Sequence, residues 1–551
     1  MERLWIGLVN NSVCMLVVLP MIGAVLVQAM RPFGWETVRR TALTNVVLSL
    51  FLLIVMVANF DVGNRTNQSA MQQQPHAQLR TNLRWTGGRA GSGAPNIQFA
   101  VGVDGISLWP IAAIVLLAFA AVTATYGQDG KQIANNYSAI LLLQAALIGV
   151  VAALDVILFC VFLEFSVWPL AVLMGRRGDA NTLTTVRRMC VSHSISSLLV
   201  MAGLVLMVLA YSWMRTTEAN PNPPLVFSIS ELTAGISAWL ADDRAAQTWN
   251  QVRVWVCFLV AAGLTIRSLA VPFHGWFLNN QDRSSIAVCI LSPAVALPIA
   301  VYGIVRFVLP MFPEIAMPLA HPISIMLLAS VVFLALLAVS SRGLGRLTNH
   351  ACLLHSALCL LAVTSLSTLG VTGALIHSSS ILLSAAAVFL LADRFPRIAA
   401  WRHFLLLLAV GAVLGIPGSS GFAGQLMILV GIFETDPMIA LWTCFALLLL
   451  LWVFAVALLS GQSTDVPDPP ADVNEGRGAS LRTLAAVFPL LFVIGWLGLQ
   501  PQFLMSRMNQ SVAYVMRRYP ATSDASADSD SQRPRRLSQQ RRYRRGAVNF
   551  Q

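Results

Sequence analysis

Seven ionisable side chains lie inside or at the edge of long apolar runs. Glu164, His193, Arg267, His350, His355 and His377 fall within such runs, and His274 directly follows one, in Val271-Pro-Phe-His-Gly-Trp276. An ionisable group at membrane depth is costly and is by default a candidate for function. Glu164 and Arg267 have opposite charge and are expected to pair across helices, because either alone is expensive to bury. A purely structural ion pair is one reading of them. Each histidine taken singly fits a packing or interfacial role. Taken together they offer a proton path, since imidazole titrates near neutral pH and both accepts and donates.

The elements that must hold these groups are membrane helices. Of 551 residues, 57% are apolar and 11% charged, where a soluble domain carries roughly twice that charge. A soluble globular enzyme is thereby excluded. A helix needs about 20 apolar residues to cross a bilayer, and about fourteen runs qualify: near 12-29, 42-59, 106-126, 137-153, 156-174, 190-212, 252-271, 286-309, 323-341, 351-369, 374-392, 404-432, 438-460 and 483-501. The fold class expected is an all-α polytopic membrane protein with discontinuous helices near 252-275 and 404-432. The second of these is too long for a straight span and is interrupted around Pro417, Gly418, Gly421 and Gly424. Such breaks persist in membranes only where protein or a wet cavity satisfies the freed backbone. The run at 12-29 has Val27 and Ala29 in a cleavage-like context and is read as a first, uncleaved helix.

Basic residues number 36 against 24 acidic ones, for a net charge of +12, and the sole lysine, Lys131, is placed in a loop between apolar runs. The arginines cluster in short loops after odd-numbered helices (Arg39, Arg40, Arg176, Arg187, Arg346, Arg394 and others), which places those loops in the cytoplasm and both termini outside. Topology thus accounts for the charge, and no nucleic-acid partner is expected. The eight cysteines lie in or beside apolar runs without CxxC or metal-type spacing, so no metal site is expected. Four units are delimited: a two-helix region at 1-60, a polar flexible loop at 61-104, a transmembrane core at 105-505 and a basic, disordered tail at 506-551. The glycines at 87, 88, 91 and 93 lack the strand and GK[ST] of a phosphate loop and read as linker.

Six segments stand in a fixed order: Val101-Gly-Val-Asp-Gly-Ile-Ser-Leu108, the stretch from Asp155 to Pro169 around Glu164, Val271 to Trp276, Tyr302 to Glu314 with its Arg306-Phe-Val-Leu-Pro-Met-Phe-Pro, Pro417 to Gly424, and Phe488 to Pro501. Together they resemble the M-type antiporter-like subunit of proton-pumping NADH:quinone oxidoreductase, the chain M or NADH dehydrogenase subunit 4 family. The resemblance spans roughly residues 100 to 505. It implies an antiporter-like fold in a bacterial cell (inner) membrane, in contact with the lipid bilayer and with other membrane-arm and peripheral subunits. It also implies coupling of electron transfer from NADH to quinone with proton translocation. No cofactor motif occurs in this chain, so NADH, FMN, iron–sulfur clusters and quinone are expected on partner subunits.

The family's relay, as the resemblance implies it, runs from a glutamate in the fifth helix through lysines in the seventh and eighth to a glutamate in the twelfth. Glu164 is kept. The other three positions align with Arg267, Pro298 and Gln425: a guanidinium that does not release its proton, a residue with no side-chain proton and a neutral amide. Gln281, Arg283, Ser285, Gly343 and Gly345 also replace polar or charged family residues. Three readings follow: an energy-coupling subunit with an altered path through His350, His355 and His377, a non-pumping structural subunit of the membrane arm, or a cation/proton antiporter-type subunit of another complex.

Overall fold

The computed structural model describes residues 2–62, 77–84, 98–125, 130–178, 180–216, 223–239, 242–278, 285–341, 343–393, 400–460 and 476–519. The glycine cluster at 87–93, Gln281, Arg283, Arg394 and the tail from 520 lie outside them. Among the described residues, twelve helices long and apolar enough to cross a membrane, with the shorter α3 and the two-part α12, give fourteen membrane helices where the apolar runs place them: α1 (Ser12–Ala29), α2 (Trp35–Ala58), α3 (Leu108–Ala124), α4 (Gly130–Ala152), α5 (Val156–Met174), α6 (Ala180–Met214), α7 (Asp243–Arg267), α8 (Ile286–Met311), α9 (Pro313–Val339), α10 (Leu344–Thr364), α11 (Thr368–Asp393), α12 in two halves (Ala400–Leu414 and Ser420–Thr435), α13 (Pro437–Leu459) and α14 (Gly476–Leu499). The chain is an integral multi-pass membrane protein.

Burial sorts the helices into two sets. α8, α10 and α11 are enclosed by other helices along nearly their whole length, and α3 almost so. α9 and α13 present Leu319, Met326, Phe333, Leu441, Phe445 and Leu448 outward, where only acyl chains are a suitable solvent. The ionisable residues of α10 and α11 therefore sit in the protein's centre, away from lipid.

Both expected breaks are present. α7 ends at Arg267, and the chain runs through Ser268 to His274 before a short turn of helix at Gly275–Leu278. Its freed amides find serines: Leu269 N donates to Ser356 Oγ of α10 (3.3 Å) and Val271 N to Ser330 Oγ of α9 (3.3 Å). The break recurs five helices later in α12. There Gly415 (φ 74°) and Gly418 (φ 94°) occupy the left-handed region that side chains rarely adopt, and Ser419 caps the second half by accepting from Phe422 N (3.2 Å). Gly421 and Gly424, expected inside the break, lie in the first turns of that second half.

α14 is seated on the α12 break through Gly498, where an added Cβ would come 2.2 Å from the carbonyl oxygen of Gly418. A backbone oxygen has no freedom to step aside. Gly498→Ala is therefore expected to lower stability by about 1–3 kcal/mol, read as a fall in unfolding temperature of the detergent-solubilised protein.

Three expectations are corrected. The stretch taken as a polar flexible loop, 61–104, holds an antiparallel ribbon of β1 (Gln78–Arg84) and β2 (Gln98–Val103). Its alternation is confined to Phe99, Val101 and Val103 within a polar surround, and it is anchored where Leu154 N donates to Ala100 O (2.9 Å). The tail does not begin at 506, because α15 (Gln502–Met516) follows α14 and packs inward. Gly105 N donates to Ser511 Oγ (3.2 Å) and Tyr519 Oη to Leu309 O (2.9 Å), fixing it to α3 and α8. Lys131, placed in a loop, belongs to the first turn of α4, just outside its apolar span.

Candidate functional site

The ionisable groups form two separate clusters, one at each helix break. The first surrounds Arg267, which is wholly buried at the C-terminal end of α7, where the helix dipole favours a cation. Its guanidinium does not pair with Glu164, contrary to expectation. Instead Nε donates to Val295 O of α8 (3.1 Å), Nη1 to Ser197 Oγ of α6 (3.4 Å), and Nη2 to Leu163 O (3.2 Å) and Ser166 Oγ (2.5 Å) of α5.

The acceptors explain the preference. α5 is interrupted at Ser166, whose hydroxyl donates to the Leu163 carbonyl (2.7 Å) and leaves a lone pair on each oxygen for the guanidinium. Pro298 lacks the amide proton that would bond the Ala294 carbonyl, and its ring crowds that carbonyl, one residue before the Val295 O that Arg267 engages. Glu164 accepts from Ser194 Oγ of α6 (2.9 Å), and its other oxygen is buried without a partner. His193 contacts Met189 O of its own helix through Nδ1 (3.2 Å), and its ring meets Trp276 edge-on at 4.9 Å. His274 stands apart, half-buried against Phe333 of α9.

The second cluster lies beside the α12 break. His377 of α11 and His355 of α10 are fully buried, with His377 Nε2 2.9 Å from His355 Nδ1. His377 Nδ1 is 3.1 Å from Gly421 O. A carbonyl only accepts, so His377 carries its proton on Nδ1, and its Nε2 must accept from His355 Nδ1–H when the pair is neutral. The Val413 carbonyl, at the end of the first half of α12, faces the His355 ring at the other end of the pair and equally calls for a donor. A neutral pair has two N–H groups for these three contacts, so one stays unmet, and one further proton would satisfy it.

Gly424 lets α12 approach so closely, since a Cβ would fall 2.9 Å from His377 N. Gln425, at the family's glutamate position, is buried with its Oε1 unpartnered. His350 does not join the pair. Its Nδ1 lies 2.9 Å from Ser341 Oγ and 2.9 Å from Arg346 O, so the three-histidine path reduces to two. Ser166, Ser194, Ser197 and the carbonyls of Val295 and Gly421 were not anticipated. Among the described residues no three His, Cys, Asp or Glu side chains gather to hold a metal ion.

Among the described residues, fourteen membrane helices with buried ionisable groups at the breaks of α7 and α12 define a polytopic membrane protein of antiporter-like fold. The family described as NADH:quinone oxidoreductase/Mrp antiporter, TM, matches residues 153–450, from the start of α5 into α13. The chain belongs to that family. It is 26% identical over 526 residues to NADH-quinone oxidoreductase subunit M of Escherichia coli (strain K12), an alignment covering 91% of this chain and 96% of that protein. Its fold resembles a chain of respiratory complex I from Thermus thermophilus with bound NADH (TM-score 0.68, 18% identity, 91% of this chain and 99% of that one). It also resembles a chain of the Mrp complex from Dietzia sp. DQ12-45-1b (TM-score 0.69, 17% identity, 94% and 98%).

Proposed function

We propose that this chain is an M-type membrane-arm subunit of an NADH:quinone oxidoreductase, and that it moves protons through its His355–His377 cluster while the Arg267 cluster serves as a fixed brace. NADH, FMN, iron–sulfur clusters and quinone belong to partner subunits in this reading, and no redox step occurs in this chain. The observation that carries it is the 2.9 Å contact between the two histidines beside the α12 break. Two imidazoles in line pass a proton by exchanging donor and acceptor roles, with little movement of heavy atoms.

The four hydrogen bonds that hold Arg267 favour the second reading, a structural subunit that moves no protons at all. Purification of the complex from its native membrane, followed by proton uptake measured per NADH oxidised in vesicles, separates the two. Co-purification with NADH:quinone oxidoreductase activity is expected. Conversion of Gln425 to glutamate is expected to keep assembly and to change the pH dependence of proton uptake, because it sets an ionisable group one residue beyond Gly424, which packs on His377. A pH dependence identical to that of the parent complex would favour the structural reading.

A further inference from the structure

A cavity of about 170 Å³ lies between α9, α10, the second half of α12 and α13. That is room for several waters at roughly 30 Å³ each. Four hydroxyl-bearing residues line it, Ser324, Thr364, Ser365 and Thr435, with Ser324 Oγ and Thr364 Oγ1 in direct contact at 2.7 Å. His321 and Asp436 also line it, with His321 Nδ1 3.7 Å from Asp436 Oδ2 and the imidazole largely exposed.

Its position in the fold ties it to the histidine pair. Ser365 lies in the α10–α11 turn and Asp436 in the α12–α13 turn, so the cavity sits at one end of these helices. His355 precedes Leu361, the nearest α10 residue lining the cavity, by six residues, which places it about 9 Å below the cavity at the helical rise. α10 and the second half of α12 border both, whereas α11 carries His377 and does not line the cavity. Both turns follow even-numbered helices, away from the arginine-rich loops. In between, α11 and α12 meet through glycines, with Gly431 set against Gly370 and Gly373 against Gly424.

We propose that this cavity is the aqueous mouth of the His355–His377 cluster on the side opposite the arginine-rich loops, with His321 and Asp436 as the pair that exchanges protons between cavity water and bulk. The inference rests on the reading of the histidine pair as a proton carrier. His321 takes a proton from cavity water at a ring nitrogen and returns it to bulk water. The Asp436 carboxylate stabilises the imidazolium formed meanwhile. Asp436 also caps α13 through Oδ1 (Met438 N, 3.0 Å; Ile439 N, 3.2 Å), so its orientation is set by the helix it begins.

The test uses the intact complex in vesicles. His321→Gln and Asp436→Asn, the latter keeping an oxygen for the cap, are each expected to lower proton uptake per NADH by about tenfold, in line with loss of a positioned proton-transfer group, and small imidazole buffers are expected to restore it in H321Q. Thr364→Cys is expected to react with a membrane-impermeant maleimide applied from the side opposite the arginine-rich loops. Unlabelled T364C, or labelling only from the arginine side, overturns the mouth whatever carries the protons below it. Full flux in H321Q and D436N beside lost flux in His377→Gln overturns the mouth and leaves the histidine pair standing. Full flux in H377Q overturns the histidine pair, and the mouth with it.

Discussion

Replacing His377 with glutamine is expected to cut proton uptake per NADH oxidised at least about tenfold, while leaving assembly and NADH oxidation in place. Glutamine's amide can still donate to Gly421 O, and its carbonyl can accept from His355 Nδ1, so both hydrogen bonds of the native ring at 3.1 and 2.9 Å have a substitute. What glutamine lacks is the ability to take a proton at one atom and release it at another. His377→Ala is the harsher variant, since it also opens a cavity in a helix buried on every side, with an expected stability loss of about 2–4 kcal/mol. Comparing the two separates titration from packing, in vesicle flux assays run beside thermal unfolding of the solubilised complex. Equal flux in H377Q and the parent would show that the pair is only a packed hydrogen bond.

The spans and the α12 break were legible in the sequence because no other structure suits those residues. Twenty apolar residues have one solution in a bilayer, and Gly415 and Gly418 permit a backbone that others resist. Which histidines meet was not legible. His350 and His355 are five residues apart, hence about 140° around α10, so only one of them faces α11, and nothing local to α10 says which. The pairing of Glu164 with Arg267 failed for a related reason. Opposite charges stand out in a sequence, whereas the competing acceptors are mostly carbonyls, which every residue carries. Only Pro298 and Ser166 hinted that backbone in α8 and α5 would be open to a donor. The β1–β2 ribbon and α15 were hidden by composition, since each is short, polar on its outer face and held by contacts with distant helices.

Arg267→Lys, conservative in charge, is expected to cost about 2–4 kcal/mol, because hydrogen bonds to charged groups contribute about 1.5–3 kcal/mol each and lysine cannot remake the set. The guanidinium reaches acceptors on α5, α6 and α8 from three nitrogens in one plane. An ammonium has three donors on a single nitrogen and cannot span them, so at least one buried carbonyl or hydroxyl is left without its donor. The loss is read as a lower unfolding temperature and a reduced yield of assembled complex. The same variant restores a group that can release a proton at the family's seventh-helix position. Flux is nevertheless expected to stay at the parent level, because Pro298 supplies no group to receive that proton. A gain in flux without loss of stability would identify the guanidinium as a plug in a working half-channel, and the brace assigned to it here would fall.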